Sequence, residues 1–449
     1  MKRYKKPPTG TSPGKAFTLD LSRRSFLKKV TGLPLGLFLG GSPLQAQSTP
    51  RRFVQFFLFG GWDSALATDP LTGSKRSSST YESAYLSRDL TTVTGKSNLV
   101  IGDGLAPAEP AFAAMNTAFV NGMYVEVTAH ELASKYILSG RATLSRSREF
   151  PAIAAIMGDA SGNFPPHLNL GLAIPLGDTR QSNPPIHALS SDHLATMLSG
   201  PRTGEFFFND AGVTAMNNLV STLDTLHGNA ISSAEQAKLN AWNVAAARLD
   251  SIYSPRYDLS MNLTDDIRSR YGITDSWMME SNTASAYLAL STGLSSYITI
   301  AGAGYDTHQG HLGAHVPLMQ TFATTLNTFV TDLRNTADPD DSSQTLADTT
   351  TILITSEFCR TPAFNIAGGT DHWKSASAIL MGAGIRDNTI VGSTGDDAMP
   401  LGWVNAAAVP YTSETELNSA HLNASVVRYL GYNDQADIIS TTHLSELFT

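Results

Sequence analysis

Phe53-Val54-Gln55-Phe56-Phe57-Leu58-Phe59, followed at once by Gly60-Gly61-Trp62-Asp63, is the stretch that decides the fold. A short run that is apolar on both faces and ends at paired glycines reads as a strand covered from both sides. Such strands belong to open, mostly parallel α/β sheets, which carry their chemistry just beyond the C-terminal ends of the strands. Asp63 stands at that place.

Working outward, further strands are expected over 98–101, 118–120, 296–301, 350–355 and 376–381. Helices are expected over 131–138, 312–333 and 420–430. Strands alternating with helices predict a mostly parallel central sheet in a three-layer α/β/α sandwich. The middle of the chain changes character. Residues 163–202 are rich in Pro, Gly, Ser and Asn, and 211–227 and 233–252 read as two helices, the second opened by the Ser233/Gln236 capping box. Residues 47–449 are therefore expected to form one α/β domain, with a helical and irregular insertion or cap at about 160–290.

The N-terminus is of another kind. Lys2, Arg3, Lys5, Lys6 and Lys15 make a basic leader. Ser22-Arg23-Arg24-Ser25-Phe26-Leu27-Lys28 then resembles the consensus of twin-arginine (Tat) signals. An apolar run over 30–40 is too short to span a bilayer, and Leu44-Gln45-Ala46 ends on a small residue. A signal peptide over 1–46 is expected, with the Tat translocase as partner during export and a periplasmic or extracellular destination.

The whole chain of 449 residues carries a formal net charge of −8. Residues 1–46 hold nine of its 31 basic residues and one of its 39 acidic ones, so the remainder has 22 against 38, a net charge near −16. That balance argues against nucleic acid or anionic lipid as a partner. No later stretch is apolar enough to be a membrane span. With Cys359 as the sole cysteine, no intrachain disulfide can form.

Carboxylates and imidazoles cluster at the expected strand ends. Asp306-Thr307-His308-Gln309-Gly310-His311 follows one strand, and His315 lies one helical turn beyond His311. Two such histidines share a helix face, an arrangement met in ligand pairs and also in ordinary surface helices. Ser356-Glu357-Phe358-Cys359-Arg360-Thr361-Pro362 follows another strand, and Gly368-Gly369-Thr370-Asp371-His372-Trp373 precedes a third. Side chains of this kind converging from separate loops suit a divalent cation.

These four motifs, with Gly60-Gly61-Trp62-Asp63 the first, resemble those of a bacterial, often Tat-exported family of unknown function, the one numbered 1501. It lies within the alkaline-phosphatase-like and sulfatase-like superfamily. The resemblance covers about residues 52–432 and departs at Cys359 and Tyr305, where Gly and Trp are usual. It implies an alkaline-phosphatase-like fold with two adjacent metal sites, or a degenerate single one, whose divalent metal (Zn, Mn or Ca) is held by residues drawn from Asp63, Asp306, His308, His311, Glu357, Asp371 and His372. It also implies a hydrolase of anionic phosphate or sulfate esters, small or polymeric. His130 stands where that superfamily places its Ser or Thr nucleophile, Thr128 is out of that register by two, and Arg360 is placed to clamp an anionic oxygen. His130, as nucleophile or ligand, and Arg360 are thus the expected catalytic residues, unless the site has lost that chemistry. The alternative is a non-catalytic extracytoplasmic binding protein that keeps the fold.

Overall fold

The computed structural model describes residues 52–141, 150–161, 165–171, 185–199 and 263–449. The expected signal peptide, and the two expected helices over 211–227 and 233–252, lie outside the described residues.

Eight strands form the central sheet. They are β1 (Arg52–Leu58), β2 (Thr117–Tyr124), β3 (Leu168–Leu170), β4 (Ile186–Ala188), β5 (Tyr297–Gly302), β6 (Thr350–Thr355), β7 (Ser375–Gly382) and β8 (Thr389–Val391). Their spatial order is β8-β2-β7-β6-β1-β5-β3-β4. β1 lies between β5 and β6 and is parallel to both, with Phe56 level with Ile300 on one side and Ile354 on the other. Only β7 runs against its neighbours β2 and β6.

The reversal has a physical reason. No crossover helix intervenes between β6 and β7, so the chain re-enters the sheet from the edge it has just left. Residues 356–374 cross that edge instead, pairing Cys359–Arg360 with His372–Trp373 in an antiparallel ribbon. The expected strand near 98–101 forms at Val100–Gly102, yet it pairs with Leu90–Thr92 outside the central sheet.

Alternation along β1 splits the core in two. Val54, Phe56 and Leu58 face one layer, with helices α3 (Met279–Ser291) and α4 (His311–Asn335). Phe56 meets the rings of Phe322 and Phe329 edge-on, each at 5.6 Å. Phe53 and Phe57 face the other layer, with α1 (His130–Ser139), α2 (Ile153–Ser161) and α5 (Ser419–Tyr429). Each such side chain taken fully out of water contributes about 1.5–3 kcal/mol. The result is a three-layer α/β/α arrangement on a mostly parallel sheet.

Of the segment expected as an insertion at about 160–290, the described parts belong to these layers. β3 and β4 extend the sheet beyond β5, and α3 packs in the core beside it. Among the described residues no helix is long and apolar enough to cross a membrane.

Candidate metal centre

One edge of the sheet gathers the ends of four strands. β1 leads to Gly60, β5 leads to Asp306, β6 leads to Glu357, and β7 is entered from His372. Beyond β2 the chain turns through Thr128 into α1, whose first residue is His130. Gly60 permits the closeness of these segments. Its φ is +122°, and a Cβ there would lie 2.4 Å from the backbone nitrogen of Asp306.

Three imidazoles converge on the Asp306 carboxylate. His308 Nε2 lies 3.0 Å from Oδ1, His372 Nε2 3.2 Å from Oδ1, and His130 Nε2 3.3 Å from Oδ2. The nitrogens of His308 and His372 are 3.2 Å apart. In each ring the far nitrogen is held by a group that accepts. His130 Nδ1 donates to Glu357 Oε1 (2.7 Å), His308 Nδ1 to Asp371 Oδ1 (2.9 Å) and His372 Nδ1 to the Thr128 carbonyl (2.7 Å). With the proton on Nδ1, a neutral imidazole turns the bare lone pair of Nε2 inward.

Lone pairs aimed at one another and at a carboxylate repel unless a proton or a metal cation lies among them. His130 Nε2 is buried and has no hydrogen-bond partner. Single ligand atoms from His130, Asp306 and His372 all fall within 4.8 Å of one another, the spacing that bonds of ~2.0–2.2 Å to one ion produce. The donor set therefore fits a divalent metal. Asp306 and His308 keep 40% and 43% of their side-chain surface exposed, so the group opens to solvent.

The electrostatics agree. Burial pushes the Asp306 carboxyl up, but the hydrogen bond and charge of Arg360 outweigh it and hold it down at about 2. Burial lowers His372, favouring its neutral, ligating form. The hydrogen bond to Glu357 raises His130, so a proton there competes with a metal. Phe358 packs against both rings, 5.0 Å from His130 and 4.4 Å from His372, and so fixes their mutual angle.

The expected site residues thus separate. Asp306, His308 and His372 come together, joined by His130. Glu357 and Asp371 stand behind two of the histidines, on the nitrogens that face away from the centre. Arg360 is not available as an anion clamp. It has no exposed side-chain surface, and it donates to the carbonyls of Gly60, Gly61 and Thr370 and to Asp306. It braces the loops against one another.

Asp63 and His311 lie apart, in a second group closed off from solvent. His311 Nε2 is 2.8 Å from Asp63 Oδ2, which also accepts from the Tyr85 hydroxyl at 2.6 Å. His315, on the same face of α4, is wholly buried, as is His311, so neither is a surface histidine. Sequence reasoning missed Tyr85, Thr307, Thr370, the Phe358 wedge and the Thr128 carbonyl. Phe358 and the two threonines sit inside quoted motifs, whereas Tyr85 lies in a serine-rich loop with no signal of its own.

Residues 50–437 match the family described as protein of unknown function, DUF1501. The chain belongs to that family. No curated protein matches it. Among solved structures it is similar to Ps i-CgsB in complex with k-i-k-neocarrahexaose, at 9% identity and TM-score 0.37, covering 88% of this chain and 77% of that one. It is also similar to a protein in the alkaline phosphatase superfamily from Vibrio parahaemolyticus, at 8% identity and TM-score 0.36, covering 86% and 67%. A third is alkaline phosphatase from the Antarctic bacterium TAB5, at 14% identity and TM-score 0.30, covering 76% and 95%.

Proposed function

We propose that this chain is an exported, metal-dependent hydrolase of phosphate or sulfate esters. The observation that carries the reading is the set of three histidines with Nδ1 held from behind and Nε2 turned onto Asp306, at a solvent-open edge of the sheet. Ligands aimed through their outer nitrogens in this way are characteristic of protein metal sites.

His130, His372 and Asp306 hold the ion, and His308 flanks them. A mainly nitrogen donor set suits zinc better than manganese or calcium, which favour oxygen ligands. A divalent ion at this place would polarise an ester oxygen and lower the proton affinity of water. Glu357 and Asp371 keep two imidazoles in the ligating tautomer, and Arg360 holds Asp306 ionised without touching substrate. On this reading His130 is a ligand, and no side-chain nucleophile is required. The Tat-like signal over residues 1–46 supports the export part of this reading, with the work done in the periplasm or outside the cell.

The test uses protein purified without a His tag and stripped of metal. Zn²⁺ or Mn²⁺ is titrated in, and turnover of an aryl phosphate and an aryl sulfate is measured. His372→Ala and Asp306→Asn should each weaken metal binding by more than ~100-fold, beyond what loss of an outer partner costs, and should abolish turnover. His130→Ala should do the same. Should wild type take up no divalent ion, the metal reading fails. Metal uptake without turnover of either ester would leave a non-catalytic metal-binding protein.

A further inference from the structure

We infer that Asp63, His311 and His315 take no metal, but close with Thr307 a buried hydrogen-bonded ring that positions the loop carrying Asp306 and His308. Among the described residues there is then a place for one divalent ion, not two. The inference rests on reading the outer group as the metal site.

The ring can be walked atom by atom. The backbone N–H of Asp63 donates to His315 Nε2 at 3.0 Å, so that nitrogen is an acceptor and Nδ1 carries the proton. His315 Nδ1 then donates to Thr307 Oγ1 at 3.0 Å. The Thr307 hydroxyl donates onward to His311 Nδ1 at 2.6 Å, which leaves the proton of His311 on Nε2. That proton goes to Asp63 Oδ2 at 2.8 Å, and the ring is closed. The spare capacity of Asp63 is also used: Oδ2 accepts from Tyr85 and Oδ1 from the Ala65 N–H.

The contrast with the outer group decides the roles. There, three Nε2 atoms present lone pairs to a centre open to solvent. Here both Nε2 atoms are engaged, one accepting from main chain and one donating to a carboxylate, and the two imidazoles have no exposed surface. An ion taking His315 Nε2 would leave the Asp63 N–H unpaired in the interior, a cost of about 1–3 kcal/mol before any ligand bond forms, and one taking His311 Nε2 would first have to displace the proton shared with Asp63. Thr307 explains what the ring does. It stands between Asp306 and His308, and its hydroxyl is gripped by two histidines of α4 while its carbonyl accepts from the Thr370 N–H at 3.1 Å. With Thr307 held at side chain and backbone, the residues on either side of it have their directions set.

The experiment compares Thr307→Val, which keeps the shape and loses the hydroxyl, with Thr307→Ser, which keeps the hydroxyl. Metal-free full-length protein is titrated with Zn²⁺ and with Co²⁺, whose visible spectrum reports ligand geometry. One ion per chain is expected. Thr307→Val should bind about 10–100-fold more weakly, as loss of an outer partner does, with an altered Co²⁺ spectrum, and Thr307→Ser should restore both. Asp63→Asn should still bind one ion if it folds. Two ions per chain, with one lost in Asp63→Asn or His315→Gln, would overturn the inference. So would a Thr307→Val variant with wild-type affinity and spectrum. If wild type binds no ion but the outer ligands are intact, the metal reading and the one-ion count fall together. The ring itself is then judged by the His308 and His372 ring resonances, which Thr307→Val must shift if the ring positions the loop.

Discussion

Each imidazole at the sheet edge owes its direction to the group behind it. Glu357 directs His130, Asp371 directs His308, and a peptide carbonyl directs His372. Away from that edge, burial sets the protonation of two other histidines. His167 and His315 are both fully buried, and burial, with neighbouring histidines adding to it, pushes both down to about 3. In the unfolded chain they titrate near 6.5. Between pH ~3 and ~6.5 the unfolded state therefore binds protons that the folded state refuses, and stability rises with pH across that window and levels off above it. Each such histidine contributes a slope of up to ~1.4 kcal/mol per pH unit. Urea midpoints measured from pH 4 to 8 should show this rise, and His167→Gln should flatten it by about one proton's worth. An unchanged slope in that variant would count against a neutral, buried His167.

At the level of elements, the ribbon over residues 359–373 matters more to the site than any single helix. It stands where a parallel continuation would need a crossover helix, and it lays His372 opposite Arg360. Its inner turn is packed without slack. A Cβ on Gly369 would come within 1.9 Å of the His308 carbonyl carbon, which is backbone and cannot swing aside. Gly369→Ala must therefore move the His308 segment or the ribbon. Zinc affinity should fall by about 10–100-fold, as it does when a ligand's support is lost, while far-UV circular dichroism stays close to wild type. Undiminished zinc binding would show that His308 and the ribbon are placed independently. The ribbon's strands are two residues each, too short to carry a periodic signal, so only the motifs announced this region.

For the molecule as a whole, charge and the proposed export belong together. A net charge near −16 without residues 1–46 suits a protein that meets metal cations and avoids nucleic acid. Replacing Arg23 and Arg24 by Lys should leave the precursor in the cytoplasm, because the charge is kept and only the paired guanidinium groups that resemble the Tat signal are lost. Fractionation of cells that make both forms is the check. Normal export of the double variant would refute the Tat assignment.

The sequence by itself determined the layers and the sheet edge at which the candidate site lies. β1, β5, β6 and α4 are apolar runs long enough for period and length to reveal them, and Asp306, His308 and His372 follow or precede such runs in motifs dense with ligand-type residues. Family membership was legible for the same reason, since motifs are local. What only the tertiary structure decided was the sorting of those residues into two groups. Asp63, His311 and His315 carry the same kinds of side chain as Asp306, His308 and His372. Whether a nitrogen turns a lone pair to solvent or spends it on a buried N–H depends on partners up to 252 residues away in the chain. The reversal of β7 and the burial of Arg360 are likewise set by long-range contacts. Chemistry at a residue is written locally, but the direction in which that residue points is set by whatever packs behind it.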